Sequence, residues 1–253
     1  MDALYLIFFF VLGTLISSFL CVVGLRLPQG ITFVKGKSRC DSCHHELHFF
    51  EMIPIISYLV QKGKCRYCQN QISSIIPICE IIGGLLFAIS YYIFGLSYNL
   101  LLSLGISALF IIVMVTDVTY YIIPDSIIIF FGLYFSVIQF LIGGLKGVYN
   151  HLISAVILFL IMYLLMILGE KLFKKESLGG GDVKLLFVFG LVLDPLLGVL
   201  AIFFGSLIAL PCSLFIIFKE KTNMIPFGPF LLLAFALIFY SQVTSSQIIR
   251  LFT

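Results

Sequence analysis

The chain has 253 residues, 61% hydrophobic and 11% charged, with a formal net charge of +3 and a mean hydropathy of +1.18. Soluble domains run about 45–50% apolar and ~25% charged, so this composition excludes a soluble enzyme, a disordered chain and a basic nucleic-acid-binding domain. Lipid is the solvent that suits such a surface.

The first apolar run, residues 4–25, is long enough to span a bilayer. It lacks a basic segment before it and an Ala-x-Ala-like site after it, so it reads as a retained signal anchor. Residues 26–72 follow, polar and cysteine-bearing, the one segment suited to a small water-exposed subdomain. Apolar runs then recur at 74–94, 97–116, 126–144, 151–169, 183–194, 196–218 and 226–246. The fold class expected is an all-α polytopic membrane protein of about eight transmembrane helices, given ~20 residues per crossing, with a cytoplasmic loop subdomain. The expected division is 1–25 (first transmembrane helix), 26–72 (loop) and 73–253 (multi-helix membrane core). No internal repeat stands out. As one straight helix, residues 183–218 would reach ~54 Å, beyond the ~30 Å hydrocarbon core. A break at Asp194–Pro195 makes two crossings and leaves Asp182 at or below the membrane surface.

Lys and Arg set the orientation. Alternating spans put Arg26, Lys35, Lys37, Arg39, Lys62, Lys64, Arg66, Lys171, Lys174, Lys175, Lys219 and Lys221 on one side, with Lys184 at its edge. Only Lys146 and Arg250 fall on the other. The basic side is expected to be cytoplasmic, with both termini outside.

Cys40-x-x-Cys43 and Cys65-x-x-Cys68 are separated by residues 44–64. Two such pairs supply four thiolates, the tetrahedral set of structural zinc. Disulfides and a redox pair are the alternatives. A cytoplasmic loop, where thiols stay reduced, disfavours the first; the absence of a thioredoxin-like pattern disfavours the second. His44, His45 and His48 read as solvated loop residues, because four thiolates already saturate the metal. Cys21, Cys79 and Cys212 read as small buried hydrophobes.

Carboxylates at membrane level are costly and mark functional sites. Asp117 closes the apolar run 111–116, and Asp182 follows Gly179-Gly180-Gly181. Both fall on the cytoplasmic side and could meet. That each merely caps a helix is an equal alternative on these grounds. Asp125, after Pro124, reads as a helix start, and Asp194, before Pro195, as a turn. Glu80, inside a span, needs a partner or a function. Glu51 reads as a loop contact or a substrate-facing group.

In this order the motifs resemble the type IV prepilin peptidases. Cys40-Asp41-Ser42-Cys43, Glu51-Met52-Ile53-Pro54 and Gly63-Lys64-Cys65-Arg66-Tyr67-Cys68 look like that family's cytoplasmic zinc loop. Pro77-Ile78-Cys79-Glu80 looks like its entry to the second span. Asp117 with Pro124-Asp125 matches its first aspartate motif, and Gly179-Gly180-Gly181-Asp182-Val183-Lys184 its GxGD motif. Pro226-Phe227-Gly228-Pro229-Phe230 looks like its C-terminal motif. The resemblance implies an aspartic endopeptidase of the bacterial inner membrane that removes the basic leader of prepilins and pseudopilins, with no nucleic-acid partner. It implies methylation of the new N-terminus from S-adenosylmethionine. It carries Asp117 and Asp182 over as the catalytic pair, Cys40, Cys43, Cys65 and Cys68 as zinc ligands, and Glu80 as a methyl-transfer residue. The rival classes are a zinc-loop transporter or channel, with acids spread through the bilayer depth, and a non-catalytic membrane scaffold.

Overall fold

The computed structural model describes residues 2–32, 38–40, 42–174, 178–220 and 225–252; Lys35, Lys37, Asp41, Lys175 and Lys221 lie outside the described residues. Among the described residues the elements are helical, with no β-strand beyond two isolated bridges. The helices are α1 (Asp2–Arg26), α2 (Ile56–Val60), α3 (Ile75–Phe94), α4 (Tyr98–Tyr120), α5 (Asp125–Phe173), α6 (Gly180–Gly190), α7 (Pro195–Glu220), α8 (Gly228–Ser241) and α9 (Ser245–Phe252). The chain divides into two units, residues 1–95 and 96–253.

In the first unit α1 lies against α3. Lipid gives apolar helices no hydrophobic reason to associate, so close backbone approach must do it. Gly13 faces Gly83 and Gly84, and a Cβ on any of the three would strike the opposite helix. Phe9 stacks on Tyr91 with ring centroids 4.9 Å apart. Cys21 and Cys79 are fully buried and hydrogen-bond each other. Cys212 departs from the sequence expectation: it is exposed on α7. An apolar thiol on an outward face suits lipid as well as a core.

In the second unit α4 is the central helix, with most of its apolar stretch enclosed. It starts at Ser97, whose hydroxyl accepts the Leu100 N–H at 3.4 Å. It stops where Tyr121 turns left-handed and its N–H closes on the Asp117 carbonyl at 2.9 Å. The α5 helix is broken at Gly144 (φ 61, ψ −155), a conformation that glycine alone adopts readily. Gly190 of α6 lies against the backbone of Ala155 in α5, where a Cβ would collide. Phe189 stacks flat on Phe235 of α8 at 4.1 Å. Gln139 donates to the Leu191 carbonyl at 3.0 Å and closes the C-terminal end of α6.

Among the described residues five helices are long and apolar enough to cross a membrane: Ala3–Gln29, Ile75–Phe94, Tyr98–Tyr120, Asp125–Leu172 and Pro195–Phe215. The Gly144 break divides the fourth, so the expected runs 126–144 and 151–169 are its two arms. The expected span 183–194 is instead an 11-residue helix of about 16 Å, short of the ~30 Å core. Phe189-Gly190 ends that helix in a turn, because Leu191, Val192 and Leu193 fold back onto its last carbonyls. The α8 helix, with 14 residues, is also short. Outward side chains such as Phe130, Leu133, Phe203 and Leu207 are large, apolar and exposed, a surface fit for lipid rather than water.

Candidate active site and candidate metal centre

Asp117 sits in the last turn of α4 and Asp182 in the first turn of α6. Each is 7% exposed, and the charge of Asp117 acts on Asp182. Two acids 65 positions apart in sequence thus share one enclosed place. Each also takes a backbone N–H from a glycine. Gly228, the first residue of α8, donates to Asp117 Oδ2 at 2.9 Å; Gly179 donates to Asp182. The α8 N-terminus supplies positive potential to a carboxylate that otherwise sits at the unfavourable C-terminal end of α4.

Small residues make this packing possible. A Cβ on Gly228 would lie 3.0 Å from Asp117 Oδ2 and 3.2 Å from Ile123. A Cβ on Gly181 would lie 3.0 Å from the Ile123 Cβ. Ile123 is buried in the connector between α4 and α5, so it is wedged between the two glycines that flank the aspartates.

The four sulfurs of Cys40, Cys43, Cys65 and Cys68 lie within 4.8 Å of one another, and Cys40 and Cys68 are 3.8 Å apart. All four thiols are free. A tetrahedron with ~2.3 Å metal–sulfur bonds has edges of about 3.8 Å, so the cluster has the dimensions to hold a metal ion. The N–H groups of Cys43 and Ser42 lower the Cys40 thiol to about 7. At Cys68 the Asn70 N–H lowers the thiol, but desolvation and the Cys43, Cys65 and Cys40 sulfurs outweigh it and push it up to about 11. Four crowded sulfurs cannot all carry charge unless a cation sits among them.

The two knuckles repeat each other at an offset of 25. The Cys40 N–H bonds to the His45 carbonyl as the Cys65 N–H bonds to that of Asn70. His44 and Gln69 both turn left-handed, and Arg39–Glu46 and Lys64–Gln71 are matching bridges. Only the CxxC pairs marked this repeat in sequence, because the rest is backbone geometry on unlike side chains.

Two family models match the chain: the bacterial peptidase A24 N-terminal domain over residues 11–94 and the type IV leader peptidase family over residues 103–214. A prepilin leader peptidase/N-methyltransferase of Bacillus subtilis is 36% identical over 199 residues, covering 79% of this chain and 78% of the relative. The chain belongs to the type IV leader peptidase family. Proteins of the same name from Stutzerimonas stutzeri and Neisseria gonorrhoeae are 31% and 30% identical, covering 94% and 90% of this chain and 92% and 88% of their own lengths. No solved structure matches it.

Other acids of this leader peptidase family member find ordinary partners. Glu80, 4% exposed, accepts the Ile55 N–H at 2.7 Å and so ties the loop to α3. Glu51 accepts the His48 N–H through Oε2 at 2.8 Å, while its Oε1 is buried with no hydrogen-bond partner among the described residues. Asp125 begins α5 as the sequence suggests, and also pairs with Lys184 at 2.6 Å. Asp194 stands in the turn before α7 and accepts the Ser245 hydroxyl at 3.0 Å. His44 and His48 are exposed. His45 corrects the sequence reading: it packs on the Tyr67 ring at 3.5 Å between centroids, drawn in by the second knuckle. Sequence reasoning assigned no role to Gly228 or Ile123. The Gly-Pro step at residues 228–229 was the available sign of a helix start for the former; a lone Ile gives none.

Proposed function

We propose that the chain is an aspartic endopeptidase of the bacterial cytoplasmic membrane that removes the basic leader of type IV prepilins or pseudopilins, with Asp117 and Asp182 as the catalytic pair. The observation that carries this is the meeting of two enclosed carboxylates from separate helices. Hydrolysis of a peptide without a nucleophilic side chain needs a base to activate water and an acid to protonate the leaving amine. Two neighbouring carboxylates resist double ionisation, share one proton, and so supply both roles. The Gly228 and Gly179 N–H groups steady the charge that remains. The orientation we propose is the one the basic residues favour: multi-pass, both termini outside, and the aspartates near the cytoplasmic face, where a charged leader stays in water while its apolar stem lies in lipid.

Residues 26–72 are the zinc-binding loop in this reading, after the first transmembrane helix (1–25) and before the peptidase core (73–253). Zinc fits the sulfur spacing and holds the two knuckles together; it takes no part in cleavage. Methylation of the new N-terminus, from S-adenosylmethionine, is the second activity, supported by the name that the relatives share. A polar cavity of about 550 Å³, lined by Tyr58, Lys62, Lys64, Gln71, Ser73 and Ser74 among others, has room for such a donor. Glu80 is assigned to this half as a methyl-transfer residue, supported by its bond to the loop. The deciding experiment incubates the purified protein with a prepilin in detergent and weighs the products. Loss of the leader supports the reading; an intact prepilin, with the zinc loop loaded, overturns it.

A further inference from the structure

The chain entering Asp182 has little stiffness of its own, since Gly179, Gly180 and Gly181 precede it and glycine restrains the backbone least. Proton sharing between carboxylates nevertheless demands placement to a fraction of an ångström. Two contacts outside the pair fix this turn. One is Ile123 on Gly181. The other is the Lys184 ammonium, which donates to Asp125 Oδ1 at 2.6 Å across 59 positions. Asp182 and Lys184 are two positions apart, about 200° around the helix. The aspartate therefore faces the core while the lysine reaches outward, and the first turn of α6 is gripped from both sides. Asp125 is the first residue of α5 and follows the short connector out of α4, the helix that carries Asp117. The ion pair thus joins the helix bearing one aspartate to the chain leaving the other.

We propose that Asp125 and Lys184 form a positioning latch that holds α6 in the register at which Asp182 meets Asp117. The proposal rests on the aspartic-pair reading above. With the two side chains 48% and 64% exposed, the pair adds little to global stability, so its loss shows in geometry rather than in unfolding. Lys184 also borders an apolar crevice with Ile128, Val156, Phe159 and Phe187. A lysine placed there to hold substrate would act on KM; a latch acts on kcat.

The test is steady-state leader cleavage by purified full-length Asp125→Asn, Lys184→Gln, Lys184→Arg and the charge-swapped Asp125→Lys/Lys184→Asp, with Asp117→Asn and Asp182→Asn alongside. Small misplacements of catalytic groups cost up to about 10²-fold, so Asp125→Asn and Lys184→Gln should each lower kcat about tenfold or more, with KM nearly constant. Lys184→Arg should stay close to wild type, and the swap should recover most of the loss. Melting temperatures should match wild type throughout. Normal kcat in both singles, a change in KM alone, or a swap that melts like wild type yet stays as slow as the singles overturns the latch. Should Asp117→Asn and Asp182→Asn be inactive while the latch variants cleave normally, only the latch falls. Should either aspartate variant still cleave, the pair itself is wrong and the latch goes with it.

Discussion

In the proposed mechanism Asp117 and Asp182 form one proton-sharing unit, so neither carboxylate suffices alone. Asp117→Asn and Asp182→Asn are each expected to lower leader cleavage about 10⁴-fold or more, with the double variant no worse than either single, because members of one unit are not additive. In the wild type the rate should fall at both pH extremes, where the pair is doubly protonated or doubly ionised. Gly228→Ala tests the support of the pair: its Cβ would press on Asp117 Oδ2 at 3.0 Å, and about a tenfold loss of kcat is expected from the displaced carboxylate. Glu80→Ala should leave cleavage of the prepilin intact while weakening methylation of the product, as read by mass spectrometry. A product methylated normally removes Glu80 from that half. The aspartates were legible in sequence because an acid at the end of an apolar run is conspicuous. The Gly228 contact was not, since it leaves only a glycine as its mark, and nothing in the sequence tells that glycine's partner lies 111 positions away.

At the scale of elements, long apolar runs made the helices readable, and their ends less so. The short α6 was hidden because residues 183–193 are apolar throughout, and nothing in them announces that the chain turns after Gly190. The Gly144 break was better marked, as Gly143-Gly144 separates two apolar stretches. The four-cysteine loop folds by another rule, as two short knuckles. Cys65 is the most enclosed of the four sulfur residues at 3% exposed, so Cys65→Ser should remove the metal and open residues 38–72 to protease. Elemental analysis of the wild type should find about one zinc per chain, as four thiolates bind one ion; two disulfides and no metal would contradict the assignment.

For the whole molecule, the proposed topology follows from charge and requires the short helices α6 and α8 to cross with the turns that flank them. Single cysteines placed at Lys146 and at Lys174, on a background with all seven native cysteines replaced, should label from opposite faces of the membrane. Labelling from one face would shift the span count by one and put Asp117 and Asp182 at opposite faces, against their meeting in one site. The membrane class was legible from composition, whereas the division into two units was not. It depends on which helices touch, and α1 finds α3 through Gly13, Gly83 and Gly84, residues that look unremarkable in a chain with 21 glycines.

If the loop holds zinc as proposed, the matched knuckles have a consequence for how it would gain and lose the ion. Each knuckle is a bidentate chelator, and residues 44–64 are the tether between them. The tether is folded, carrying α2 and held to Glu80 through the Ile55 N–H, so once the first pair has bound, the second is held above the millimolar effective concentration that a flexible coil of that length would give. Affinity then belongs to the tether as much as to the sulfurs. Lengthening the tether with glycine and serine should weaken zinc binding in small steps, while deleting either knuckle should lose it altogether.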